Sequence, residues 1–339
     1  MAIRWAIDLN NAETKVPAEG LLPPDTRVLV LGSGRIGHEV NARGVAGALG
    51  IEPGFVTVRP RKLFELAAPW GPVDPADALR PPWPDIAIAS GRVTVPYLRA
   101  IKSGSRGRTF TVFLQDPRAW RGSADLIWVP EHDSLRGPNV LTTLTSPHSF
   151  GGDALTSARL AVDPRLAGLP QPRVAMVLGG DSGAHRFEAK DIEALAVIAR
   201  DIVLSGRGLM VTPSRRTPAA LTAAIRAAVE GHDAFVWDGS GGNPYVQILS
   251  QADAIVVTGD SVNMVGEACA TGAPVHVYEP SGGSPKITRF IDGLVAAGAV
   301  RRWNGLLQDW RYAPIDATRE IAMEATRRYL AHRASIAES

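Results

Sequence analysis

Residues 252–280, ADAIVVTGDSVNMVGEACATGAPVHVYEP, constrain the fold more than any other part of the chain. The β-branched run at 254–257 predicts a buried strand, because a short apolar run closed by turn residues suits a strand covered on both faces. Thr258-Gly259-Asp260-Ser261 ends it, a helix follows over about 262–271, and Gly272 stops that helix. A second apolar run at 275–278 predicts the next parallel strand. The helix start presents free backbone N–H groups and the positive end of the helix dipole, which suit an anion. Asp260 or Ser261 can cap it. Asn263 and Glu267 lie one turn apart on one helix face. A carboxylate one turn behind an anion site is a layout for a nucleotide, with phosphate at the helix tip and sugar hydroxyls on Glu267.

The same alternation runs through the rest of the chain. Strands are expected at 27–31, 55–58, 85–89, 109–114, 126–129 and 140–145. The first runs into Gly32-Ser33-Gly34-Arg35-Ile36-Gly37-His38 and a helix to about Leu49, and another helix is expected near 95–103. The strand signal lapses over about 151–172 and then restarts with a strand at 174–178. The turn Gly179-Gly180-Asp181-Ser182-Gly183-Ala184-His185-Arg186 follows, then a long amphipathic helix over 187–205. Further strands are expected at 209–212 and 234–237, with helices opened by Pro218, by Asn243-Pro244-Tyr245 and by Pro285, and a last helix over 316–332. A chain of 339 residues is long for one core, since single cores stop growing near about 250–300 residues. The pattern therefore predicts an α/β protein of two doubly wound, Rossmann-like domains, 1–160 and 161–314, followed by a terminal helix in 315–339. Ligands of such sheets bind outside the carboxyl ends of the strands, so the two edges are expected to face a shared cleft.

Composition removes several function classes. The formal charge is +2, and Arg59-Pro60-Arg61-Lys62, Arg215-Arg216 and Arg301-Arg302 are short clusters, so no nucleic-acid-binding arm is expected. The single cysteine, Cys269, allows no internal disulfide and is best placed in the core. Seven histidines include no HExxH pairing, and no metal site is expected. The opening MAIRWAIDLNNAETK lacks a signal-peptide core, and no run approaches the roughly 20 apolar residues of a membrane span. A cytoplasmic protein is expected, with a peripheral contact at an anionic membrane left open.

The turns at the strand ends carry the candidate chemistry. Gly32-x-Gly34-x-x-Gly37 after a strand matches the dinucleotide fingerprint, and Arg59 at the end of the second strand could meet a 2′-phosphate. An NADP-dependent reductase is therefore an alternative, although nothing further along supplies a hydride-transfer constellation such as Tyr-x-x-x-Lys. His38 follows that turn and can act as a general base near neutral pH, or simply bond the backbone at a helix start. Glu131, His132 and Asp133 close a strand and are expected to line the cleft, whereas Asp116, before Pro117, is expected to initiate a turn. Backbone N–H groups of the second glycine turn, with Ser182 and Arg186, could hold phosphate. Arg215 or Arg216, at a strand end beside a helix tip, suits a bidentate phosphate contact. Asp238 and Asn243 follow the next strand, and Asn243 is placed at the cleft, although both can simply shape the loop 239–242.

These motifs resemble a known family. Thr258-x-Asp260-Ser261-Val262-Asn263-Met264-Val265-x-Glu267-Ala268 resembles the signature of the ELM1-like family, called mitochondrial fission ELM1. Gly91-Arg92, Gln115-Asp116-Pro117-Arg118, Pro130-x-His132-Asp133, Asn139-Val140-Leu141, Gly179-Gly180, Ser214-Arg215-Arg216-Thr217-Pro218 and Asn243-Pro244-Tyr245 extend the agreement along most of the chain. That family is similar in turn to GT-B fold glycosyltransferases of the MurG type. The resemblance implies two facing Rossmann-like domains, with a nucleotide-sugar donor held by the second and a last helix crossing back to the first. It implies Glu267 as the ribose-binding carboxylate and Ser261, Asn263 and Met264 as the diphosphate-binding helix start, with Asp260 expected among the same diphosphate contacts. Gly180, Ser182 and Gly183 resemble the second glycine loop, and Gly34, Gly37 and His38 the first, whose histidine is an acceptor base in some members. The chain departs from MurG in having Asp260-Ser261 where a glycine-rich run precedes the donor helix. The implied reaction is metal-independent glycosyl transfer, with no permanently bound cofactor and a nucleotide-diphosphate sugar as donor substrate. Arg215 or Arg216 would stabilise the leaving group, and His38 or Glu131 would deprotonate the acceptor, a cell-envelope glycolipid or polysaccharide at the inner membrane surface. Plant relatives resemble adaptors that recruit a dynamin-related GTPase, so a non-catalytic scaffold is the competing expectation.

Overall fold

A computed structural model describes residues 22–34, 36–148, 150 and 152–338, without the side chains of residues 36–38, 121, 152 and 153. The chain begins β1 (Val28–Gly32), α1 (Ile36–Ala48), β2 (Gly54–Thr57), α2 (Lys62–Ala67), β3 (Ile86–Ser90), α3 (Val95–Gly104), β4 (Phe110–Leu114), β5 (Leu126–Pro130) and β6 (Val140–Thr143). It continues α4 (Gly152–Leu160), α5 (Pro164–Ala167), β7 (Arg173–Leu178), α6 (Ala189–Leu204), β8 (Gly208–Pro213), α7 (Ala219–Ala228), β9 (Ala234–Val236) and α8 (Tyr245–Ser250). It ends β10 (Ala254–Thr258), α9 (Val262–Cys269), β11 (Val275–Tyr278), α10 (Pro285–Ala296), β12 (Val300–Arg302) and α11 (Ala317–Ala337).

The strands form two six-stranded sheets, ordered β2-β1-β3-β4-β5-β6 and β12-β11-β10-β7-β8-β9. Every recorded pairing is parallel. Crossover helices cover both faces of such sheets, which is why β3, β4 and β5 are buried along their whole length and read as unbroken apolar runs. Each sheet accordingly has two apolar clusters, one per face. The α/β class with two Rossmann-like sheets is therefore the observed one.

Strand order reverses once in each sheet, between β1 and β3 in the first and between β7 and β10 in the second. Crevices at such reversals, outside the carboxyl ends of the strands, are where open α/β sheets place ligands. The chain passes to the second sheet after β6: Phe150, Leu155 of α4 and Leu166 of α5 join that sheet's core. The stretch expected to be an irregular boundary thus forms two helices. Asp163 accepts from the Arg165 N–H at 2.9 Å, and Pro164 at the first helical position starts the second of them. Ala317, Ile321, Ala325 and Tyr329 of α11, spaced one turn apart, pack in one cluster with Val30, Val112 and Trp128 of the first sheet. His148 N–H donates to Thr318 Oγ1 at 2.9 Å, joining the outgoing and returning segments. Among the described residues no helix is long and apolar enough to cross a membrane.

Candidate functional site

At the crevice of the second sheet one buried carboxylate ties three loops together. Asp260, after β10, accepts from the Gly180 N–H at 2.9 Å and from the Thr258 hydroxyl at 2.7 Å. The Thr258 oxygen in turn accepts from the Gly179 N–H at 2.7 Å. Arg216, after β8, reaches Asp260 at 3.4 Å and donates to the Asp181 carbonyl at 3.1 Å. Loops after β7, β8 and β10 therefore form one polar unit. Close approach explains both glycines: a Cβ on Gly179 would lie 2.1 Å from Asp260 Oδ1, and one on Gly180 2.0 Å from the Arg216 carbonyl oxygen.

Other expected residues lie around this unit. Ser182 accepts from the Ala184 and His185 N–H groups at 3.2 and 3.1 Å. Gly183, Arg186 and Arg215 are exposed. His185 belongs to the same turn and has no role predicted from the sequence. It is buried, and among the described residues its Nδ1 has no hydrogen-bond partner. Its backbone bridges to Gly282, so the loops after β7 and β11 meet there.

Behind the crevice, Ser261 caps α9 by accepting from the Met264 N–H at 3.5 Å. Asn263 is exposed, and half-buried Met264 packs on the core. Glu267, one turn on, takes a short hydrogen bond from the Tyr245 hydroxyl at the start of α8. Burial pushes the Glu267 carboxyl up to about 7, against the opposing effect of that hydrogen bond. Burial also raises the Tyr245 phenol well above its ordinary value, with the Glu267 charge adding to it. A carboxyl that titrates near neutrality can accept from a ligand hydroxyl or donate to it. The sequence marks Tyr245 only as a helix start; an aromatic hydroxyl opening a short helix before residues 252–280 was the available signal. Asn243 is exposed, and its Oδ1 accepts from the Tyr245 N–H at 3.1 Å, so it sets the position of this pair. Cys269 is fully buried in the core beside them.

The crevice of the first sheet is open, with a cavity of about 540 Å³ lined by loops after β1, β2, β3 and β4. Left-handed backbone gathers there: φ is +76° at Gly34, +94° at Gly91, +101° at Gln115 and +51° at Arg118. Asp116 accepts from the Arg118 N–H at 2.8 Å, which is the turn expected of it. The Gly34 N–H donates to Glu39 Oε1 at 3.0 Å, and a Cβ on Gly32 would lie 2.5 Å from that oxygen. A dinucleotide pyrophosphate needs this N–H and would face a carboxylate, which disfavours the reductase alternative. Gly37 and His38 fall in the first turn of α1, and the His38 side chain lies outside the described residues.

The loop after β5 reaches across to the second sheet. Asp133 pairs with Lys286 of α10 at 2.8 Å, and the His132 ring meets Phe290 edge-on at 5.9 Å. Burial, and then Lys286, hold the His132 pKa below its ordinary value. Glu131 is exposed, with its N–H on the Thr143 carbonyl at 2.9 Å.

A family model described as mitochondrial fission ELM1 matches residues 36–329. The chain belongs to the mitochondrial fission ELM1 family. The mitochondrial fission protein ELM1 of Arabidopsis thaliana is 29% identical over 271 residues, covering 72% of this chain and 64% of that protein. The uncharacterized protein RP120 of Rickettsia prowazekii (strain Madrid E) is 28% identical over 158 residues, 44% of each chain. This ELM1-family chain thus matches less than two thirds of the length of those relatives. Among solved structures, the UDP-GlcNAc 2-epimerase from Methanocaldococcus jannaschii aligns with a TM-score of 0.50 at 8% identity, over 90% of this chain and 99% of that one. MurG of Acinetobacter baumannii aligns with a TM-score of 0.46 at 12% identity, over 93% and 100%. The epimerase likeness shows the fold of the family member, two parallel sheets with alternating helices.

Proposed function

We propose that this ELM1-family chain holds a nucleoside-diphosphate sugar at the carboxyl edge of the second sheet and transfers its glycosyl group to an acceptor hydroxyl. The observation that carries the reading is Glu267: a half-buried carboxyl, held by Tyr245 and raised to about 7, one turn behind the start of α9. Buried titratable groups shifted towards neutrality concentrate at functional sites. In this reading Glu267 takes the ribose hydroxyls, and Ser261, Asn263 and Met264 offer the diphosphate the helix start. Gly180, Ser182, Gly183 and Arg186 border the sugar, while Arg215 or Arg216 offsets the charge of the leaving group. The bond from the anomeric carbon to the diphosphate breaks with its electron pair on the diphosphate. The acceptor oxygen forms the new bond and gives its proton to His38 or Glu131. No resident metal or cofactor is called for, and a saccharide or lipid-linked acceptor at a membrane surface is the class proposed.

Calorimetry with UDP-, GDP-, ADP- and CMP-sugars tests this. One of them should bind, and Glu267→Ala should abolish binding; silence from the whole panel overturns the reading. A second reading, a non-catalytic adaptor, is favoured by an exposed apolar patch. Leu63, Leu66 and Trp70 are 75%, 76% and 58% exposed, and Trp120 lies 5.0 Å from Trp70. An adaptor with a vestigial cleft would give no response to any sugar nucleotide.

A further inference from the structure

The open crevice of the first sheet contains charged groups that the transferase reading leaves unassigned. Its volume, about 540 Å³, lies in the range of small-molecule sites, roughly 300–1,000 Å³. Three arginines line it, and they differ in what they do. Arg92 is committed to structure: its guanidinium donates to the carbonyls of Glu65 and Leu66 at 3.0 and 3.4 Å and to that of Ala68, bracing α2. Arg59 and Arg118 have no hydrogen bond or ion pair from their guanidinium groups among the described residues, and both are exposed. They arrive from loops after β2 and β4, on opposite sides of the crevice between β1 and β3. Arg118 and its neighbour Gln115 hold left-handed backbone that side-chain-bearing residues rarely adopt, a feature that clusters at ligand sites. The acids at the rim are Glu65 and Asp116, and Asp116 is committed to the Arg118 turn.

We propose that this cavity is a second binding site, for a polar small molecule carrying a phosphate monoester gripped by Arg59 and Arg118. Two guanidinium groups match a dianion with three acceptor oxygens. The Glu39 carboxylate already on the Gly34 N–H turns a pyrophosphate away from the glycine turn. Gln115 offers an amide to hydroxyls of the same ligand. The phosphate can belong to a soluble sugar phosphate or to a lipid headgroup, and binding here does not depend on transfer at the second sheet.

The test uses the full chain. Glucose 1-phosphate, glucose and inorganic phosphate are titrated by calorimetry, and vesicles of phosphatidylcholine with and without phosphatidylinositol 4-phosphate by sedimentation. Glucose 1-phosphate should bind and glucose should not. Arg59→Ala and Arg118→Asn should each weaken binding about 10- to 100-fold. Asn tolerates the left-handed backbone at 118, so the fold survives, as an unchanged Tm will show. Glu267→Ala should leave this binding unchanged, which separates the two sites. Binding only to the phosphoinositide vesicles, lost in the double variant, assigns the phosphate to a lipid. No binding by any phosphate probe, or binding that the double variant retains, overturns the proposal.

Discussion

The two crevices start from similar parts and end in different states. Each lies beside a glycine turn after the first strand of its sheet, and in each a carboxylate of the chain takes a turn N–H. Glu39 does this for Gly34 from five residues away, on the helix that follows. Asp260 does it for Gly180 from eighty residues away, and Arg216 and Thr258 join it. The near tie shapes only its own turn and leaves the neighbouring strand ends apart around a cavity. The distant tie fixes the ends of β7, β8 and β10 against one another. Polar residues at a strand edge therefore tie loops of that edge to one another as readily as they shape a single turn; the separation of the partners decides which.

Glycine substitutions break this comparison hardest. Gly180→Ala must displace the Arg216 backbone, so it should destabilise the chain by about 3 kcal/mol in urea unfolding. Gly34→Ala meets open space and only a positive φ, and should cost about 1 kcal/mol. Equal costs would show that the second crevice is no tighter than the first. Asp260→Ala comes next. It strands the buried Gly180 N–H and the Thr258 hydroxyl, at about 2 kcal/mol, where Glu39→Ala should cost under about 1.

Glu267 gives the pH dependence. Its folded pKa, about 7, lies above the ordinary value of 4.5, so the folded chain binds more protons than the unfolded chain between those values. Stability from this group is therefore fully present below pH about 4.5, falls as pH rises through the window, and is lost above about 7. Glu267→Gln should remove that decline and gain about 1–2 kcal/mol at pH 8. The same variant should lose affinity for the sugar nucleotide, and a gain in stability with a loss of binding is the mark of a functional group kept at structural cost. If Glu267→Gln lowers stability at pH 8, the carboxyl is a structural group and the ribose assignment falls.

Much of this was legible in the chain itself. Apolar runs such as 254–257 and 275–278 predicted strands within a residue of those observed, because parallel strands are apolar on both faces. β12, Val-Arg-Arg, was missed since a three-residue edge strand with exposed arginine has no apolar run. α2 was missed because its leucines face solvent rather than a core. Residue types at the strand ends were also legible, but not their partners. Asp260 was placed among the ligand contacts, and only the fold shows its carboxylate already shared among Gly180, Thr258 and Arg216. Tyr245 stands 22 residues before Glu267, and no local pattern links the two.

The contact between the sheets should yield the smallest effect. Lys286 and Asp133 form a half-exposed pair at 2.8 Å, so Lys286→Ala should cost about 0.5 kcal/mol or less, and less still in high salt. Its informative readout is His132. Burial is the larger cause of the lowered His132 pKa and Lys286 the next, while Asp133 acts the other way. Removing the lysine should therefore raise the His132 pKa, as followed by NMR, yet leave it below the ordinary histidine value because Phe290 still covers the ring. A pKa that does not move would mean that the loop after β5 and α10 part in solution. The open crevice of the first sheet would then be free to change its distance from the tied crevice of the second.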